Sequence, residues 1–345
     1  IWAGSDDGLL HITRDGGKNW SNVTPKGMPE WMMFNSVEID PFRKGGAYVA
    51  GTRYKLGDYT PYLYHTSDYG ATWKLITKGI DKLHFTRVLR ADPERDGLLY
   101  AGTESGMYIS FDNGAAWQPF QMNLPMVPIT DLAIKNNNLI AATQGRSFWM
   151  IDDLTVLHQL SDEVLAADQY LFQPLNAYRM DGSQGRPSKT QGMNHPGGVT
   201  FHFNINEVPA DSVAVALELY EEGGNLIRTY ASDAKEKGEK LEFEKGGNTF
   251  NWNMRYPDGV DFDGMIMWWA GVGGPKAQPG TYEARLKVGD QEQVQTFEIL
   301  PDPRSEATAE DMAAQFEFMK SVQDKVSEAH QAIIDLRDVK KQVNG

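Results

Sequence analysis

The chain has 345 residues, a formal charge of −14 from 33 Lys and Arg against 47 Asp and Glu, and no cysteine. That length holds two or three domains with a sizeable core. The acidic balance argues against a nucleic-acid partner, because phosphate binding needs a basic face, and the absence of thiols excludes disulfide frameworks and thiolate sites. No apolar run approaches the ~20 residues of a membrane span, no signal peptide is apparent, and the seven His show no metal-ligand spacing.

In chain order, residues 1–22 read as short strands around the turn Thr13-Arg14-Asp15-Gly16-Gly17-Lys18-Asn19-Trp20. The turn returns as Thr66-Ser67-Asp68-Tyr69-Gly70-Ala71-Thr72-Trp73 and as Ser110-Phe111-Asp112-Asn113-Gly114-Ala115-Ala116-Trp117. In the shared pattern, Ser/Thr-x-Asp-x-Gly-x-x-Trp, the carboxylate accepts from backbone N–H groups of its own turn. The Gly supplies a positive φ, the hydroxyl adds a local hydrogen bond, and the Trp buries a ring as the next strand begins. Successive Asp are 53 and 44 residues apart, which suits a four-stranded propeller blade. Ala3-Gly4-Ser5, Ala50-Gly51-Thr52, Ala101-Gly102-Thr103 and Ala141-Ala142-Thr143 repeat in phase with the turns.

Blade strands are expected over 34–39, 47–53, 62–66 and 73–76; then 87–91, 98–103, 107–110 and 117–119; then 129–135, 139–143, 148–152 and 156–160. The last blade has Ile151-Asp152-Asp153-Leu154 where its turn should fall. Ile1 opens directly on a strand that belongs inside a blade. The chain is therefore expected to be the C-terminal part of a longer protein, with N-terminal blades preceding it.

These motifs, with the run Ala142-Thr143-Gln144-Gly145-Arg146-Ser147-Phe148-Trp149, resemble the Asp-box (BNR) repeat proteins. More closely, the whole chain is similar to the secreted bacterial proteins related to sortilin's propeller and to xyloglucanases, often labelled glycosyl hydrolase. The lack of cysteine separates it from animal sortilin-type receptors. The resemblance implies a mainly β chain: last blades of an Asp-box propeller over 1–160, then an immunoglobulin-like β-sandwich, in a secreted, periplasmic or cell-surface protein. It implies function only weakly, since enzymes, receptors and assembly factors share the motif.

After the blades, 161–168 reads as a short polar bridge and 169–179 as a strand or extended arm, with 181–198 a Gly/Ser/Pro/Asn-rich loop, so that 161–198 forms a linker and arm. Alternation returns at Val199, Phe201 and Phe203 and again at Val213, Val215, Leu217 and Leu219, followed by the Gly223-Gly224 turn. Further strands are expected over 226–230, 240–244, 248–254, 283–288 and 293–300, an antiparallel sandwich over 199–300. Trp268-Trp269 is assigned to its core in preference to an exposed patch. The remainder, 301–345, is an amphipathic helical segment: a helix starts near Thr308, with Asp311 completing a capping box. Met312, Met319, Val326 and Ile333 form one seam and Val322, Ala329, Leu336 and Val343 another. Such a stripe calls for a partner helix or a face of the sandwich.

Strand parity points to the candidate site. If the aspartate turns join third and fourth strands, then 29–33, 54–61, 104–105, 121–127 and 144–146 share the opposite face. The first interval between copies is 9 residues longer than the second, and the excess falls largely in 53–61, a long loop where ligands often bind. Ligand-binding candidates are Trp31, Tyr54, Asp58, Tyr59, Glu104 and Arg146; the rings suit stacking on sugar or peptide, or else pack loops onto the rim. Structural roles are assigned to Thr13, Asp15, Gly17, Trp20, Thr66, Asp68, Gly70, Trp73, Ser110, Asp112, Gly114 and Trp117. Asp152-Asp153 offers calcium a minimal oxygen pair, against the plainer reading of a solvated turn; no other cofactor is indicated. No catalytic pair can be assigned: Asp58 and Glu104 share the face, but glycosidases need two carboxylates flanking one cleft, and Arg146 is a lone cation. The expected function is a binding and scaffold protein holding a protein or glycan partner on that face. The alternative is a glycoside hydrolase, xyloglucanase- or sialidase-like, with its catalytic carboxylates in blades outside this chain.

Overall fold

The computed structural model describes residues 1–180, 182, 192–210 and 212–344. It divides into two compact units, Ile1–His158 and Gln159–Gly345. The expected loop over 181–198 lies largely outside the described residues.

The first unit is four consecutive antiparallel meanders. The first sheet is Trp2–Gly4, Leu10–Ile12 and Ser21–Asn22. The second is Met33–Ile39, Ala47–Arg53, Asp58–Thr66 and Lys74–Leu75. The third is Thr86–Ala91, Leu99–Thr103, Gly106–Ser110 and Gln118–Pro119. The fourth is Ile129–Lys135, Asn138–Thr143 and Phe148–Ile151. In each sheet, strands neighbour one another in chain order. Successive sheets pack face to face, and the apolar clusters lie between them: Leu63, Ile76, Leu89 and Tyr108 between second and third, Val88, Tyr100, Ile129 and Leu139 between third and fourth. This is the blade arrangement of a propeller-like fold.

The in-phase Ala-Gly-Thr repeat now has a reason. The second strands of the middle sheets are covered on both sides, with every residue of Leu99–Thr103 buried. A Cβ on Gly102 would stand 2.7 Å from side-chain carbons of both Val88 and Ile129, so neighbouring sheets can approach only over a bare backbone.

Each aspartate turn is closed twice. The Thr66 hydroxyl accepts from the Gly70 N–H (3.0 Å) and donates to Asp68 (2.8 Å), while Asp68 accepts from the Thr72 N–H (2.9 Å). Thr13 with Asp15 and Ser110 with Asp112 repeat the arrangement. The buried N–H is taken by the hydroxyl; the carboxylate serves the exposed one. These bonds hold the Asp15 and Asp68 carboxyls down at about 2. The Trp then reaches back one sheet: Trp73 Nε1 donates to Val23 O (2.7 Å) and Trp117 Nε1 to Ile76 O (2.6 Å). Gly70, at φ 81°, presses against Val23, which a Cβ would meet at 2.7 Å. Trp20, expected to be buried like its counterparts, is 45% exposed.

The fourth sheet departs from expectation at its outer edge. A helix, Thr155–Gln159, replaces the strand expected over 156–160. The Asp153 carboxylate accepts from Thr155 N (2.7 Å) and Asn137 Nδ2 (3.0 Å), which starts the helix. His158 then lies 2.9 Å from the buried Asp92. The polar bridge that follows is also helical, Asp162–Ala166, with Ser161 accepting from Val164 N.

The second unit packs two sheets around one core containing Phe201, Leu217, Trp252, Leu286 and Phe297. One sheet is Gln169–Leu171, Val199–Ile205 and Gly246–Trp252; the other runs Ala177–Tyr178, Gln291–Leu300, Gly280–Val288, Val215–Glu221 and Leu226–Ala231. The arm thus gives one edge strand to each sheet. The strand expected over 240–244 does not form. A 3-10 turn, Lys237–Glu239, takes the chain there, and Asn248 ties the loop by bonding Glu244 N (2.7 Å) and O (2.8 Å). Trp268 and Trp269, placed in the core by the sequence, are 93% and 102% exposed. Trp252 already fills that core, and a tight turn closed by Ala270 N to Met267 O holds the pair outside it.

The terminal helix runs Ala309–Asn344 behind the expected box, in which Asp311 N donates to Thr308 Oγ1 and Thr308 N to Asp311 Oδ2. Among the described residues of its unit, neither a helix nor a sheet face covers it. The irregular segment 256–263 lies along it instead: Tyr256 packs edge-on against Phe316, Val260 N donates to Ser327 Oγ (3.1 Å), and Arg337 donates to Asp263 O (2.7 Å). Phe318, Val322, Leu336 and Val343 stay exposed. Among the described residues no helix is long and apolar enough to cross a membrane.

Candidate ligand-binding face

The two ends of the first unit's sheets differ chemically. At the end carrying the aspartate turns, polar groups lock one sheet to the next. Arg43 forks onto Asp96 (2.7 Å), and Tyr48 donates to Asn113 Oδ1 (2.6 Å). Buried Asp40 and Asp92 each accept two backbone N–H groups of their own turns, and each carboxylate also lies 3.3 Å from a tyrosine hydroxyl, that of Tyr48 or Tyr100.

At the opposite end, second-to-third turns meet the linkers between sheets: Gly106 N donates to Val127 O, Gln144 N to Pro128 O, and Arg53 Nε to Glu30 O. The long loop is not loose. Tyr54–Leu56 forms a 3-10 turn ended by Gly57 at φ 76°, and the next strand starts early, at Asp58. Tyr54 therefore stacks on Phe85 (centroids 5.1 Å apart, planes at 10°), and Tyr59 tilts over the same ring at 6.0 Å. The Arg87 guanidinium lies 5.2 Å from the Phe85 ring and is gripped by Glu104 (2.6 Å). Asp58 is tied to Arg53 (2.9 Å), Tyr62 (2.8 Å) and Thr60 N (3.0 Å). Despite partial burial, these donors hold its carboxyl at about 2.

Tyr54, Tyr59 and Glu104 are thus brought into one cluster, with Asp58 bracing its loop. Trp31 is 65% exposed at φ 60°, on the linker that Arg53 holds through Glu30. Arg146 stays apart: it is exposed on the fourth sheet, and its contacts remain within its own turn and with Trp149. Phe85 and Arg87, which complete the cluster, were not singled out by sequence; a ring two residues before an arginine carries no local signal. For calcium, Asp153 is already engaged as the helix-starting acceptor. Among the described residues no group of three or more His, Asp or Glu converges as metal ligands would.

A second constellation also escaped the sequence. The first strands of the second, third and fourth sheets line a cavity of about 490 Å³. Arg90 crosses it, donating to Asp131 (2.7 Å), Ser36 (2.8 Å) and Leu132 O (2.8 Å), with Glu38 at 3.6 Å. Burial raises the Glu38 carboxyl although Arg90 opposes it. Its signal was period-two polarity on strands read only as apolar.

No protein-family model and no curated protein sequence matches the chain. Among solved structures it is similar to YCF48 bound to D1 peptide (23% identity, 44% of this chain and 47% of that one, TM-score 0.35). It is also similar to a GH74 enzyme from Niastella koreensis (11%, 59% and 33%, TM-score 0.35) and a GH74 xyloglucanase from Xanthomonas campestris (13%, 85% and 46%, TM-score 0.36). The chain spans less than half the length of each of these three structures. At such TM-scores the likeness carries no functional statement about this chain, and the blade arrangement rests on its own sheets.

Proposed function

We propose that the chain is part of an Asp-box propeller with an appended immunoglobulin-like sandwich, a secreted or cell-envelope binding and scaffold protein. It holds a protein or glycan partner on the face opposite the aspartate turns. One observation carries the reading: the Tyr54–Phe85–Tyr59 ring cluster, with Trp31 exposed on the adjoining linker, sits at the end opposite the aspartate turns. Preorganised rings of this kind offer stacking area to sugars and to peptide side chains at little entropic cost. The exposed row Val322, Leu336 and Val343 on the terminal helix would take a partner helix in the same assembly.

The alternative, a glycoside hydrolase, needs an acid with a raised pKa facing a second carboxylate. Asp58 is held near 2 and Glu104 is gripped by Arg87, so in that reading the catalytic carboxylates belong to other blades. The test is a glycan and peptide array followed by calorimetry of the captured ligand on wild type, Trp31→Ala and Tyr59→Ala. Binding should weaken roughly tenfold or more, with melting temperatures nearly unchanged. Normal binding by both variants, with exchange protection mapping to 13–20, 66–73 and 110–117, would place the ligand on the other face.

A further inference from the structure

In the first three sheets of the first unit, the aspartate turn ends in a tryptophan that leads straight into the outermost strand: Trp20 before Ser21–Asn22, Trp73 before Lys74–Leu75 and Trp117 before Gln118–Pro119. Trp73 and Trp117 each place the indole N–H on a carbonyl of the preceding sheet. Among the described residues, the fourth sheet has neither part. Its turn begins in the same way, Leu154 N donating to Asn137 O as Asn113 N does to Gly97 O. The helix Thr155–Gln159 then carries the chain away to Asp92 through His158, which stands five residues after Asp153 as Trp117 does after Asp112. The third strand, Phe148–Ile151, is left with an outer edge that pairs with no strand of the unit.

The place of a fourth tryptophan can be located residue by residue. Trp117 shares one buried cluster with Leu63, Ile76, Ile80, Leu99, Ala101 and Tyr108. One sheet further on, the counterparts of these six are Met107, Phe120, Leu124, Leu139, Ala141 and Trp149. Phe120 N donates to Met107 O as Ile76 N does to Leu63 O, and Leu124 N to Gln121 O as Ile80 N does to Thr77 O. Ala141 pairs with Trp149 as Ala101 does with Tyr108. All six line one cleft between the third and fourth sheets. Apart from Gln121 and Asn123 its lining side chains are apolar, and the Gln121 amide is taken by Leu124 O and Pro125 O. The cleft encloses about 50 Å³, several times the space one water needs, and opens beside Met122, which is 70% exposed. A ring seated there lies partly in that mouth, as half-buried Trp73 does in its own gap.

We propose that this cleft and the adjoining edge of Phe148–Ile151 bind an extended peptide segment carrying a tryptophan, supplied by another polypeptide. The chain's own next residues are committed to the helix, and the other sheets build ring and strand from one contiguous stretch, so one short peptide can supply both. The indole enters between Phe120 and Trp149, toward Phe120 O, the counterpart of Val23 O and Ile76 O. The residues after it add along Trp149 and Met150, the positions that Lys74–Leu75 and Gln118–Pro119 cover in the middle sheets. Main-chain bonds to an open edge supply affinity and the side-chain pocket supplies specificity. The site is separate from the Tyr54–Phe85–Tyr59 cluster and does not depend on the function proposed for that face. The test adds three probes to the full chain: a synthetic peptide with the sequence of residues 112–119, the same peptide with Trp117→Ala, and free indole. Calorimetry and amide exchange read the outcome. Saturable binding of the tryptophan peptide is expected, roughly tenfold or more weaker for the alanine peptide and weaker for free indole, with exchange slowed at 120–124 and 148–151. Ala141→Leu in the protein fills the cleft and should weaken binding by a similar factor; the exchange map on wild type carries the test should that variant fold poorly. No saturable binding, equal binding of the two peptides, protection confined to other segments, or a folded Ala141→Leu variant that binds as wild type would each overturn the proposal. Free indole binding as tightly as the peptide would overturn the role of the edge strand.

Discussion

Thr66→Val isolates the hydroxyl half of an aspartate turn. Valine has nearly the shape of threonine, and Thr66 is 2% exposed, so the change removes chemistry with little change of volume. It strands the buried Gly70 N–H, now 3.0 Å from Thr66 Oγ1, and withdraws a donor from Asp68. An orphaned buried donor costs about 1–3 kcal/mol. For a unit of this size each kcal/mol moves the melting temperature by about 2–4 °C, so a fall of roughly 5 °C at neutral pH is expected. Thermal unfolding followed by circular dichroism reads this directly, and amide exchange should quicken at Gly70 and Val23 before it does elsewhere. Asp68→Asn keeps an acceptor for the exposed Thr72 N–H and should fall less. If Thr66→Val melts with wild type while Asp68→Asn falls further, the carboxylate closes the turn and the division of labour argued above is wrong.

Three further outcomes follow from the same contacts. Trp117→Phe keeps most of the ring but leaves Ile76 O without its indole donor, costing about 1–3 kcal/mol, whereas Trp20→Phe should be neutral by the same melting assay. Asp15, Asp68 and Asp58 have folded pKa values near 2, below the unfolded 3.8, so their contribution is complete above pH 4 and is lost as pH falls toward 2. Glu38, whose pKa is raised, acts in the opposite sense above pH 4.5. A melting profile flat from pH 4 to 2 would contradict this assignment. A fragment of residues 199–300 lacks the arm whose Leu171 N donates to Gln293 (2.7 Å) and whose Gln169 O accepts from it (3.0 Å). It should melt less cooperatively than 159–345, and equal melts would show the arm to be dispensable.

The blades were legible because their signals are local. A turn that closes on itself within eight residues must spell itself out, and the spacing of its copies then counts the strands between them. The terminal helix was legible for the same reason: Thr308 and Asp311 sit three residues apart and cap one another. What failed was non-local. Residues 156–160 carry apolar residues suited to a strand, but Asp153 and the distant Asp92 hold them helical. Trp268-Trp269 looked like core because nothing nearby in sequence announces that Trp252 occupies it. Of the candidate site, parity put the second-to-third turns and the linkers at one end of the sheets. It could not supply Phe85, which joins Tyr54 to Tyr59 across 31 and 26 residues of chain.

The repeat also explains why the two ends of the blades differ. In each middle blade the turn does more than close a hairpin: its glycine admits the previous sheet and its tryptophan bonds that sheet's outer carbonyl. Arg43, Asp96, Tyr48 and Asn113 add side-chain locks at the same end. An end so committed has few donors or rings left for a partner, and a substitution there is felt in both sheets. The opposite end is joined by main-chain bonds between turns and linkers, by the buried Thr86 hydroxyl, which contacts Gly51 O (3.0 Å) and Tyr62 O (2.9 Å), and by the Tyr54–Phe85 stack. Tyr54 is part of that joint, whereas Trp31 and Tyr59 are 65% and 50% exposed, so substitution of those two should leave the melting temperature nearly unchanged.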